Sequence, residues 1–66
     1  MADRHRQGSS DAIPVTQVKI GNAVREQGHW ARVVSVESRG DLVLLGFFRA
    51  DNTYPYYRDE LVEVQR

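Results

Sequence analysis

Three tyrosines crowd around one proline in the stretch TYPYY, where Tyr54, Tyr56 and Tyr57 flank Pro55. Tyrosine offers a flat apolar face with a polar tip, a combination suited to binding surfaces. On an extended chain Tyr54 and Tyr56 share one face, and Tyr57 takes the other with Thr53 and Pro55. Trp30 and Arg32 share a face in the same way. Trp, Tyr and Arg are the residues enriched in binding hot spots, and the same trio stacks single-stranded bases. The expected partner-binding set is Trp30, Arg32, Phe48, Tyr54, Tyr56 and Arg58. The competing reading has these aromatics capping the ends of a small fold.

A catalytic set is not expected. Ser35 and Ser38 follow His29 closely in sequence, but strand alternation does not join them to a carboxylate. Asp59, Glu60 and Glu63 read as solvated surface, because an acid–base pair needs a pocket. His5 and His29 stand 24 positions apart and cysteine is absent, whereas a structural zinc site needs four clustered ligands. No metal and no cofactor are expected. Arg39-Gly40-Asp41 reads as a hairpin turn.

The 66 residues suffice for one domain, near the lower limit of independent folding. Nine basic residues balance nine acidic ones, so nothing marks generic coating of nucleic acid, which shows as a basic excess. Lys19 is the single lysine and the other cations are arginines, which suits bidentate and stacking contacts. No apolar run reaches the ~18 residues of a membrane span, and no signal-peptide pattern opens the chain. A soluble, cytoplasmic protein is expected.

Positioning elements follow from composition. Residues 1–14 hold little apolar surface and are expected to be a flexible arm. From Val15 to residue 66 the pattern is all-β, opening with VTQVKIGNAVRE, which alternates, breaks at a Gly21-Asn22 turn or bulge, and resumes with Ala23 and Val24 as the first strand. HWARVVSVES is a β-branched run without Gly or Pro, and reads as a strand. ESRGD closes a hairpin, LVLLGFF is a buried strand, TYPYY is a strand held to an edge or bulge by Pro55, and VEV closes the chain. RDEL is expected to form one 3₁₀ turn. Five short strands favour a small barrel, since closure removes exposed edges. The expected core is Val24, Ala31, Val33, Val36, Val43, Leu45, Phe47, Leu61, Val62 and Val64. Leu42, Leu44 and Phe48 would then face outward as an apolar stripe, a possible oligomer interface.

Gly21-Asn22-Ala23-Val24-Arg25, Gly28-His29-Trp30 up to Val34, and Asp59-Glu60-Leu61 resemble the SH3-like and Tudor-like small β-barrels across roughly residues 18–64. The Tudor resemblance implies an aromatic cage at Trp30, Phe48 and Tyr54, although Arg49 would repel a methylated cation. Gly21 to Arg25, Trp30 and Tyr54-Pro55 are also similar to the type II dihydrofolate reductase barrels, which work as tetramers around a pore. There Glu26 takes the place of the pore lysine, and Asp51-Asn52-Thr53 departs from the family's strand. The expectation is a five-stranded SH3-like barrel acting as a non-catalytic module for a protein partner. Nucleic-acid binding and an oligomeric pore reductase are the alternatives.

Overall fold

The computed structural model describes residues 10–65. Six strands, β1 (Ser10–Pro14), β2 (Ala23–Glu26), β3 (His29–Arg39), β4 (Leu42–Phe47), β5 (Tyr54–Tyr57) and β6 (Leu61–Gln65), form one antiparallel sheet in the order β1-β6-β2-β3-β4-β5. The all-β expectation holds. The strand count and the closed ladder do not: there are six strands, and β1 and β5 are edges of an open sheet. The sixth comes from residues expected to be a flexible arm. Ser10–Pro14 pairs along β6, and Ile13 packs on the core, so backbone pairing orders a segment too polar to order itself. Residues 1–9, the rest of that arm, lie outside the described residues.

Tight turns set the hairpins. Gln27 and Gly28 both have positive φ, and they link Glu26 directly to its partner His29. A two-residue loop with both φ angles positive matches the twist of the strands it joins, and glycine takes that conformation without steric cost. Gly40-Asp41 joins Arg39 to its partner Leu42, so the Arg-Gly-Asp tripeptide is the expected hairpin tip. The single 3₁₀ turn among the described residues is Val15–Gln17 rather than Arg58–Leu61.

Val15, Val18, Val24, Val33, Val43, Leu45, Phe47, Val62 and Val64 are buried, with Ile13, Ala31, Tyr54 and Tyr56 packed against them. Two expected core residues stay out. Leu61 is 61 % exposed, because β6 alternates and buries Val62 and Val64 instead. Val36 shares the face of its partner Leu45 yet is 38 % exposed. Val15 and Val18 enter the core through the 3₁₀ turn, which a search for strand alternation passes over.

The register of β3 shifts between Val33 and Ser35. β3 pairs with β2 through residues 29–32 and with β4 from Val33 onward, so the shift falls just inside the β4-paired part, and such a bulge bends the strand that carries it. The sheet curls over its core. Across the open gap, the Tyr56 hydroxyl on β5 donates to the Glu26 carboxylate on β2, although two strands lie between them in the ladder.

Both edges are guarded. Arg58 N–H donates to Asp41 C=O at 3.1 Å, which fixes the phase of the β4–β5 ladder. Tyr54 and Tyr56 therefore bond inward, and Pro55 and Tyr57 turn their backbone outward. Pro55 has no N–H, and that of Tyr57 donates to Glu60 Oε1 at 3.1 Å. On β1 the Val15 N–H bond to Glu60 C=O puts Pro14 in the same outward phase. Each edge strand thus carries a proline where a free donor would invite another strand.

Candidate functional site

The first half of β3 presents Trp30 and Arg32 on the face opposite buried Val33. Their neighbours come from both sides. Trp30 lies directly across from Arg25 on β2, and the Arg25 guanidinium sits 5.4 Å from the ring centroid. Arg32 lies across from Ala23 on β2. On its other side Phe48 N–H donates to Arg32 C=O at 2.9 Å, continuing the β3–β4 ladder one step past Phe47. Arg49 then sits 5.4 Å from the Phe48 ring centroid. Trp30 is 39 % and Phe48 60 % exposed.

Two arginine-stacked aromatics therefore flank Arg32. Each stack is worth about 0.5–1 kcal/mol at an exposed site. More important is chemistry: a guanidinium attracted to a ring face spends none of its N–H groups on a hydrogen-bond acceptor, which leaves them for a carboxylate or phosphate. Among the described residues none of Arg25, Arg32 and Arg49 forms an ion pair. The patch is cationic at neutral pH, although the chain is neutral overall. Arg49 has φ of 67°, a left-handed conformation that is uncommon for a residue with a side chain.

Of the expected set, Trp30, Arg32 and Phe48 come together here. Tyr54 and Tyr56 do not join them. Both lie across from inward residues, Leu45 and Val43, and the Tyr54 ring packs on Phe47 with centroids 5.5 Å apart. The strand that carries them pairs with β4 and never with β2 or the first half of β3. Tyr54 thus turns away from the face that holds Trp30 and Phe48, so the three cage positions do not share a side. Arg58 lies at the far hairpin, with Nη1 3.4 Å from Gly40 C=O. Leu42 and Leu44 are half-buried on the outer face, and Phe48, grouped with them from sequence, belongs to the arginine patch.

Sequence reading left three contributors out of the set. Arg25 and Arg49 owe their roles to the pairing of separate strands and to a turn. Glu26 accepts a hydrogen bond from the Tyr56 hydroxyl across the sheet, and no local spacing signals that contact. Burial, helped by the Glu26 carboxylate, pushes the Tyr56 phenol well above its ordinary range. An open cleft of about 360 Å3 lies beside this bond, lined by Arg25, Tyr56, Glu60 and Glu63 among others. Among the described residues no three His, Asp or Glu side chains cluster as a metal site, and no helix is long and apolar enough to cross a membrane. The chain matches no protein family, no curated protein and no solved structure.

Proposed function

We propose that this protein is a non-catalytic interaction module of SH3-like, barrel-type curvature that docks a protein partner through Trp30, Arg32 and Phe48, with Arg25 and Arg49 as stacked supports. One observation carries the reading: two exposed aromatics, each held by an arginine, on either side of a third arginine with no ion-pair partner among the described residues. The partner's chemistry follows from the patch. Ring faces take an apolar side chain, and the guanidinium edges take carboxylates. An extended segment with an acidic and an apolar residue satisfies both.

The test is affinity capture from the native host, comparing the wild-type chain with Trp30→Ala and Arg32→Ala. A partner retained by wild type should fall at least about tenfold with either variant, as hot-spot losses do, while circular dichroism shows the fold unchanged. Capture that ignores both substitutions sinks the site.

The same stacked arginines support a second reading, in which the ligand is a single-stranded nucleic acid. A salt titration with a short oligothymidylate separates the two. Three phosphate contacts give a log–log slope near about −2 for a single strand. A protein segment anchored on the rings gives a much shallower one.

A further inference from the structure

The second half of the sheet carries a different surface. On the outer face of β3, β4 and β5, one cross-strand row reads Glu37, Leu44, Pro55 and the next reads Arg39, Leu42, Tyr57. Directly paired residues share a face, and this one lies opposite Val43 and Leu45. Tyr57 is 66 % exposed, Pro55 is exposed, and Leu42 and Leu44 are half-buried. The centre of the two rows is apolar and one end is charged.

We infer that a second copy of this chain docks here, across a two-fold axis that runs perpendicular to the strands, midway between the two rows. That operation lays each row on the other. Leu42 meets the partner's Leu44, Tyr57 meets the partner's Pro55, and Arg39 meets the partner's Glu37. Every contact occurs twice, as an isologous interface demands. The direction of the axis is decided by charge. A two-fold along the strands would set the Glu37 carboxylate on the partner's Pro55 and lose the ion pairs. Superposing like rows would set arginine on arginine.

Two further features favour a face-to-face copy. Growth at the β5 edge is blocked, because Pro55 lacks a donor and the Tyr57 N–H and C=O are both engaged by Glu60. Zero net charge removes long-range self-repulsion. Within one chain Arg39 already bonds Glu37 at 2.7 Å with both side chains well exposed. Such a pair contributes little alone, but stacking two copies joins the four charges into one partly desolvated network. The face is smaller than a standard interface of ~20–30 residues a side, so a concentration-dependent dimer is expected.

Sedimentation of the full chain from about 10 µM to 1 mM, roughly the range of weak complexes, tests this directly. The expected result is a monomer–dimer equilibrium that Leu44→Glu weakens at least tenfold. Arg39→Glu should weaken it similarly, and the double swap Glu37→Arg with Arg39→Glu should restore it. Trp30→Ala should leave it unchanged. Thermal melts of the same variants separate loss of association from loss of fold. A wild-type chain monomeric throughout overturns the proposal, as does a dimer indifferent to Leu44→Glu or not rescued by the double swap. The absence of cysteine provides a second readout with Leu44→Cys. Thiol labelling should slow as the protein is concentrated. Labelling whose rate does not change with concentration would overturn the second copy, because the half-burial of Leu44 within one chain is the same at every concentration.

Discussion

The two halves of β3 belong to one unbroken strand and have different surroundings. From His29 to Arg32 the strand pairs with β2, and its outer face gathers arginines around two aromatic rings. From Val33 to Arg39 it pairs with β4, and from Ser35 on its outer face adjoins leucines, a proline and a tyrosine. Nothing within the run HWARVVSVESR announces that division. The neighbours make the difference: β2 contributes Arg25, while β4 contributes Leu42 and Leu44. A surface on a sheet is a property of cross-strand rows, so one strand can serve two surfaces wherever its neighbours change.

The largest test of this comparison removes what the halves share. Leu45 is fully buried beneath the half of β3 that pairs with β4. Leu45→Ala should cost about 3 kcal/mol in a denaturant titration, a large fraction of the stability of so small a domain. Both surfaces should be lost together. Loss of one alone would mean that the halves fold independently.

The next test separates them. Trp30→Ala should cost about 2 kcal/mol of partner affinity, as truncated hot spots do, and leave self-association intact. Leu44→Glu should do the reverse. A variant that damages both in a folded chain would merge the two surfaces into one.

A smaller effect is expected at the bond that holds the curl. Tyr56→Phe removes a hydroxyl from the half-buried Glu26 carboxylate and should cost about 1 kcal/mol. The pH dependence has a definite sign. Burial and Glu26 raise the Tyr56 pKa in the folded chain, so folding favours the neutral phenol. That stability is fully present below the unfolded value of about 10 and is lost as pH rises above it. Urea midpoints should therefore fall on the alkaline side in wild type and fall less in Tyr56→Phe. Equal slopes would remove Tyr56 as the titrating group.

The edges give a kinetic test. Pro14→Val restores an outward N–H on β1 and should raise the rate of aggregation in light scattering. Smallest of all is Arg39→Ala, which in dilute monomer should change stability by less than about 0.5 kcal/mol, the usual value of an exposed pair.

Much of the architecture can be read from residue patterns. The β-branched run from His29, the apolar run from Leu42 and the alternation of Val62 and Val64 mark three strands, and burial follows that alternation. Pro55 marks an edge, as expected. The site was half legible. Trp30 and Arg32 lie two apart on one strand, and period-two geometry puts them on one face. Tyr54 and Tyr56 have the same spacing, yet their common face is the inner one, because their partners on β4 are Leu45 and Val43. Periodicity says which residues travel together and is silent on which side is the core.

What the chain's own order of residues determined is local: extended segments, tight turns, and two prolines that sit only where a ladder lacks a neighbour. What the tertiary structure alone decided is adjacency. Polar Ser10–Pro14 becomes a strand because β6 offers it a partner, and Phe48 flanks Arg32 because β4 runs one pairing beyond its last strand residue. Side-chain direction is set by a few neighbouring torsions and so is written in short spacings. Strand order and register are set by burial summed over the whole fold, and no short window contains that sum.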